Sequence, residues 1–172
     1  MAIVFPLTTD RLSIRPFALG DQAAMQPIYD DPEVMRYIDT RGEDPSTWVA
    51  GYVAHQAQHG WGFWAVEERA TGELIGEAGF GPLDGVPGAE LELGYLLRRD
   101  RWGLGLATEC ARACLAAAFV GLGAEEVVAV VDVGNDASVR VLRKIGFEHE
   151  RLREVHGRRQ HVLRARRPAR AG

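Results

Sequence analysis

The sequence is short of several features that would each point to a definite chemistry. It has 2 cysteines in 172 residues, Cys110 and Cys114. They fall four apart on one expected helix, which suits neither a zinc pair nor a redox Cys-x-x-Cys and leaves them as small buried residues. Nothing asks for an oxidising compartment. The longest charge-free apolar run, 113–124, is too short to span a bilayer. The start, Met1-Ala2-Ile3-Val4-Phe5-Pro6, has no basic region and meets charge at Asp10 and Arg11, so no signal peptide is expected. Net charge is only −4, which gives no basic field for nucleic acid. No serine has a Gly-x-Ser-x-Gly setting. His55 and His59 lie four apart with no third ligand and no His-Glu-x-x-His, so no metal is expected. Repeats and low-complexity linkers are missing too. These absences leave a soluble, cytoplasmic protein with no membrane or nucleic-acid partner.

What is present is one domain over 1–172, with 47% hydrophobic residues and enough chain to bury a core. Arginines crowd the end, and residues 165–172 read as a basic, frayed tail. Strands are expected at 11–17, 63–68, 74–80, 91–97 and 127–133, with two more turning about 156–159. Helices are expected to start near Asp21, Pro32, Ser46, Ala107 and Asn135. The order is mixed α/β, with antiparallel strands first and a single strand–helix–strand crossover in the middle. In the last helix Asn135 is an N-cap, Gly146 a left-handed stop, and Phe147 the residue that packs back on Leu142.

The most informative segment runs from Leu91 to Cys114. An extended apolar stretch ends at Leu96 and Leu97, Arg98 to Arg101 break it, and Trp102-Gly103-Leu104-Gly105-Leu106-Ala107-Thr108 leads into a helix. A helix start carries unpaired N–H groups and roughly half a positive charge. Glycines before it let a phosphate approach those donors. A dinucleotide fingerprint wants Gly-x-Gly-x-x-Gly after the first strand. Here the spacing is Gly103-x-Gly105-x-Ala107, one residue too tight, and it follows about four strands, although Asp132 does close the next strand.

The same segment resembles the acetyl-CoA loop of the GNAT acetyltransferases, Arg/Gln-x-x-Gly-x-Gly/Ala. Gly105 and Ala107 fill its last two positions, and Trp102 stands where Arg or Gln is usual. Asn135-x-x-Ser138 followed by Leu142-Arg143-Lys144-Ile145-Gly146-Phe147 resembles the second signature of the RimJ/RimL-type branch. Thr9-Asp10-Arg11-Leu12-x-x-Arg15, Asp31-Pro32-Glu33-Val34-Met35 and Glu92-Leu93-Gly94-Tyr95 are similar to other blocks of that family. The resemblance spans most of the chain.

It implies a GNAT fold: a twisted mixed sheet of six to seven strands, helices on both faces, and two central parallel strands, 91–97 and 127–133, splayed around a pantetheine arm. It implies transfer of acetyl from acetyl-CoA to a primary amine in a ternary complex. The acceptor would be a protein N-terminal α-amine, a lysine or a small amine, with a homodimer left open. Cofactor contacts would come from Leu96, Leu97, Trp102, Gly103, Leu104, Gly105, Leu106, Ala107, Thr108 and Asn135. Glu92 would be the general base, with Glu90 two residues away on the same face, and Ser138 would protonate the leaving thiolate. Trp61, Phe63 and Trp64 either line the acceptor cleft or pack the core, and Tyr95 is either core or a rival proton donor. The alternatives are an acyl-CoA-binding protein that does not turn over and, with the spacing defect against it, a dinucleotide-binding protein.

Overall fold

A computed structural model describes residues 2–40, 42–81, 91–155 and 157–169. Glu90, most of the loop at 81–88, and His156 of the last turn lie outside the described residues. Within them, eight strands form one sheet: β1 (Leu7–Thr8), β2 (Leu12–Pro16), β3 (Phe63–Glu68), β4 (Leu74–Gly81), β5 (Glu92–Leu97), β6 (Glu126–Asp132), β7 (Glu148–Val155) and β8 (Arg158–Arg166). Their order is β1-β2-β3-β4-β5-β6-β8-β7. The count exceeds the sequence expectation because Leu7 and Thr8 pair with Ile14 and Ser13, a contact too short to leave a periodic signal.

Every neighbouring pair is antiparallel except β5–β6. That pair registers at one position, Glu92 with Val128, whereas β4 and β5 pair at six, from Gly76↔Leu97 to Gly81↔Glu92. The parallel strands therefore meet at their start and part towards their C-terminal ends.

Helices cover both faces. On one lie α1 (Gln22–Tyr29), α2 (Pro32–Met35) and α3 (Trp48–His59), where Met25, Ile28 and Val49 pack with Ala65, Leu74 and Leu96. On the other lie α4 (Leu106–Ala117) and α5 (Asp136–Lys144), where Cys110, Cys114, Val139 and Leu142 join Leu93, Leu97, Val127 and Ala129. Both cysteines are fully buried; burial pushes the Cys110 thiol up to about 12 and Cys114 up as well, so they are inert packing groups.

Some boundaries move for local reasons. The cap before α3 is Asp44, whose carboxylate accepts from Ser46 N–H at 2.9 Å, because a short 3-10 turn at Pro45–Thr47 precedes the helix. After α4 the chain makes a π turn, Ala118–Leu122, and stops at Gly123 in the left-handed region. The last strand holds Ala165 buried, and Arg167 donates to Ala124 O at 2.9 and 2.7 Å. β8 thus runs to Arg166. Among the described residues no helix is long and apolar enough to cross a membrane.

Candidate active site

The divergence of β5 and β6 opens a pocket of about 430 Å³. Tyr95, Leu96 and Leu97 of β5 form one wall, and Asn135, Ser138 and Val141 of α5 face them. At the mouth stands the turn into α4. Gly103 has φ +75° and Gly105 φ +79°, and a Cβ on Gly105 would meet only Arg11 Nη2, at 3.5 Å. Gly105 is the N-cap of α4 without a side-chain cap, and its carbonyl accepts the first helical bond, from Glu109 N–H at 3.1 Å. The first N–H groups of α4 thus face an open mouth with no protein side chain capping them.

The structure brings Leu96, Leu97, Trp102, Gly103, Gly105, Leu106, Ala107, Thr108, Asn135 and Ser138 around this one pocket. It leaves two expected residues outside the lining. Leu104 is 54% exposed and points its role through the backbone: its carbonyl accepts from Arg11 Nη1 at 2.8 Å. Glu92 sits where the parallel strands still pair, outside the pocket lining, and shares a strand face with Leu96, which packs on the α1–α3 side. The two-residue alternation of a strand puts Glu92 and Leu96 on one side and Leu93, Tyr95 and Leu97 on the other.

Trp102 replaces the usual arginine or glutamine with a different tie. Its indole N–H donates to Leu97 O at 2.8 Å, joining the turn to the end of β5. Arg11 holds the turn from the other side: its backbone N–H donates to Glu109 Oε1 at 2.8 Å, its Nε to Glu109 Oε2 at 2.7 Å, and Thr9 O–H to Oε1 at 2.6 Å. Burial works to raise the Glu109 carboxyl, but these donors and the guanidinium charge together hold it below its ordinary range. The conspicuous Thr9-Asp10-Arg11-Leu12 block therefore acts on the α4 start, about a hundred residues away.

Asn135 caps α5, its Oδ1 accepting from Ser138 N–H at 3.2 Å. Ser138 Oγ lies 2.7 Å from Tyr95 Oη, which also lies 3.2 Å from Ser138 O. The tyrosine has one proton. If it goes to the serine carbonyl, Ser138 must donate to Tyr95; if it goes to Ser138 Oγ, the serine proton stays free for a ligand. Burial raises the Tyr95 phenol further above its ordinary value.

Sequence reasoning missed part of the wall. Val34, Tyr37 and Ile38 near α2 line the pocket, as do Arg36, Arg140 and Lys144. Tyr37 O–H donates to Gly134 O at 3.1 Å, linking the α2 region to the start of α5. The spacing Ala137, Val141, Lys144 is one helical face, a signal present in the sequence; the α2 contribution has none.

Trp64 is fully buried core, with its N–H on Gln56 Oε1 at 2.8 Å. Trp61 packs edge-on against His55 with ring centroids 4.6 Å apart, and His55 and His59 lie tilted at 4.4 Å; burial first, then His59, lowers the His55 pKa. Among the described residues no group of three potential ligands could hold a metal. Asp132, which a dinucleotide site would use for a ribose, is taken by Arg158 and by Gln160 Nε2 at 2.9 Å.

A mixed sheet split by one parallel wedge, with a glycine-bounded helix start at its mouth, defines an α/β protein with an anion-competent cleft. The family model for the acetyltransferase (GNAT) domain matches residues 11–148. The chain belongs to that family. It is 32% identical over 152 residues to the uncharacterized N-acetyltransferase YoaA of Bacillus subtilis, covering 86% of this chain and 85% of that one. The crystal structure of an acetyltransferase from Agrobacterium tumefaciens superposes with a TM-score of 0.81 at 29% identity, over 97% of this chain and 98% of that one. Mycobacterium smegmatis RimJ, solved in complex with CoA-disulfide, superposes with a TM-score of 0.76 at 22% identity, over 96% and 86%, and supports the fold alone.

Proposed function

We propose that this protein transfers acetyl from acetyl-CoA to a primary amine. The observation that carries the reading is the wedge itself: β5 and β6 pair at a single position, and the open start of α4 stands where they part. A pantetheine arm is the kind of chain such a wedge takes, since unpaired strand edges offer N–H and C=O groups to its amides. The pyrophosphate would sit on the N–H groups of the 103–108 turn. Arg36, Arg140 and Lys144 at the pocket wall add positive charge for the remaining phosphate.

The chemistry needs a neutral amine beside a thioester. An α-amine has a pKa of about 8 and lysine above 10, so a proton must leave first. Glu92, on the α1–α3 face where the two strands still pair, is the family-implied candidate for the group that takes it. Ser138, backed by Tyr95, would donate to the departing sulfur. A thiol of pKa about 8.5 leaves readily without help, so that donor gives the smaller gain. Proximity of the two bound substrates supplies most of the rest.

The α1–α3 side of the sheet carries Glu92, Phe63 and Tyr52, an acidic and aromatic set that suits a cationic acceptor on this reading. Incubation of the protein with acetyl-CoA and four amines tests the reading: a peptide with N-terminal alanine, Nα-acetyl-lysine, spermidine and kanamycin, each scored by free thiol release. Release with at least one amine, beyond the amine-free control, is expected. No release with any of them, despite CoA binding, favours the acyl-CoA-binding protein that does not turn over.

A further inference from the structure

The α1–α3 face of the sheet holds a carboxylate that neither the sequence motifs nor the cleft chemistry above employs. Glu77, in the middle of β4, is 5% exposed. Its partners are two phenols: Tyr29 of α1 donates to Oε2 at 2.6 Å and Tyr52 of α3 to Oε1 at 3.3 Å. Among the described residues no ion pair reaches it. A buried carboxylate met only by neutral donors is an expensive group to keep. Leucine or valine at this position would pack the same space without that cost.

Its location gives the reason. In the sheet register Glu77 stands opposite Leu96, and Leu96 walls the pocket between β5 and β6. Directly opposed side chains lie roughly 5 Å apart at Cβ. One step further along the same face, Phe63 lies over Gly94; a Cβ there would come within 2.9 Å of its ring. Gly81, also against the ring, is opposite Glu92. Tyr52 packs on Phe63 with ring centroids 5.1 Å apart. Glu77, Tyr52, Phe63 and Glu92 therefore share one face, with the two carboxylates about 13 Å apart along the strands. Tyr29 is buried, whereas Tyr52 is half-buried.

We propose that Glu77 and Tyr52 form a proton relay for the acceptor amine, with Tyr52 as the group that touches the amine and Glu77 as the proton sink behind it. This rests on the acetyltransferase reading. An ammonium N–H is donated to Tyr52 Oη, the Tyr52 proton passes to Glu77 Oε1, and the amine is left with a free lone pair. The nitrogen then forms the C–N bond to the acetyl carbonyl as the C–S bond breaks. Its second proton ends on the sulfur, giving an amide and a free thiol. No proton or electron is left over, and Glu77 returns its proton to solvent for the next cycle.

Burial raises the Glu77 carboxyl to about 7, while the Tyr29 and Tyr52 hydrogen bonds pull the other way, so it can take and release a proton near neutral pH. The groups facing it are few. Ala65 and Leu96, its neighbours across β3 and β5, carry no charge. Arg15, one strand beyond Ala65, is held by Asp21 at 2.7 Å and Glu67 at 2.5 Å. Glu43 bears on Tyr52 from the loop before α3.

Glu77→Gln keeps the shape and can still bond both phenols, and Tyr52→Phe removes only the relay hydroxyl. With the amine of the panel that wild type acetylates, each variant should lose about a hundred-fold in kcat. The acetyl-CoA KM and the CoA Kd should stay unchanged. The limb of the wild-type pH profile near 7 should vanish in both, and the double variant should be no slower than Glu77→Gln alone. Infrared difference spectra supply a readout independent of turnover: a protonated-carboxyl band that titrates near neutral pH in wild type and is missing in Glu77→Gln. Variants that lose melting temperature but keep the rate and the pH limb would make Glu77 structural and overturn the relay alone. No turnover of any amine by wild type would overturn both the relay and the acetyltransferase reading.

Discussion

The two sides of the wedge are built on opposite principles. On the proposed cofactor side the working parts would be backbone: glycines at positive φ, a helix start without a side-chain cap, and the edges of two parted strands. Side chains there hold the frame, as Trp102 does on Leu97 O and Arg11 on Leu104 O. On the proposed acceptor side the working parts would be side chains, Glu77, Tyr29, Tyr52, Phe63 and Glu92, drawn from α1, α3 and three strands. A backbone site needs local spacing and so constrains a short stretch of sequence. A side-chain site needs only that distant residues meet, and leaves no spacing behind.

The largest expected break falls on the cofactor side. Gly105→Asp adds a carboxylate at the helix start; only Arg11 Nη2 comes within 4 Å of a Cβ, but φ +79° strains any side chain there. A stability loss of about 1–2 kcal/mol therefore accompanies it, and affinity is measured on the folded variant. Like charges about 4 Å apart repel by about 4 kcal/mol near a protein surface. CoA affinity measured by calorimetry should fall at least a hundred-fold. Retained affinity would remove the pyrophosphate from this turn.

Glu92→Gln sharpens the comparison from the other side. Loss of a general base lowers rate by about a hundred- to ten-thousand-fold, so kcat should drop while the acetyl-CoA Kd holds. Raising the pH should restore part of it, because more acceptor arrives neutral. An unchanged kcat would pass the proton to Glu77 or to water.

Arg11→Ala tests whether the frame matters to the backbone site. The ion pair is half exposed at the arginine, so the stability loss should stay near 1 kcal/mol, while CoA affinity drops several-fold as the 103–108 turn loosens. The Glu109 carboxyl is held below its ordinary 4.5. Its contribution is therefore present above that value and is lost as pH falls through the folded value. The gap in denaturation midpoint between wild type and variant should be full above pH 4.5 and shrink as the pH falls below it. A gap that widens on acidification would refute this link.

Asn135 gives the smallest effect. Asn135→Ala removes a cap worth about 1 kcal/mol and should weaken acetyl-CoA slightly; Asn135→Asp restores the cap acceptor and not the amide donor. If Asp recovers stability and affinity together, Asn135 is a cap alone.

The same contrast decides how much the sequence discloses. The β5–turn–α4 segment, the Asn135 cap and the Gly146–Phe147 stop all read from local spacing, and Phe147 N–H does bond Leu142 O at 3.1 Å. Ten of the twelve expected site residues surround one pocket for the same reason. Glu92 and Leu104 fall outside its lining because a strand start and an outward loop position share spacing with their neighbours but not direction. Glu77 left no mark at all. It reads as one polar residue in a glycine-rich strand, and its setting is made by Tyr29 and Tyr52, 48 and 25 residues away. Tyr37 and Ile38, brought to the pocket from the α2 region, are hidden in the same way.

The central claim is that the wedge between β5 and β6 holds CoA. A ligand that binds only the folded chain raises its melting temperature, by an amount that grows with the logarithm of its concentration relative to Kd. Thermal unfolding of the wild-type protein with CoA, acetyl-CoA or NAD at equal concentration tests the claim most directly. A rise of several degrees with CoA and acetyl-CoA and none with NAD is predicted; a larger rise with NAD than with CoA would contradict the account.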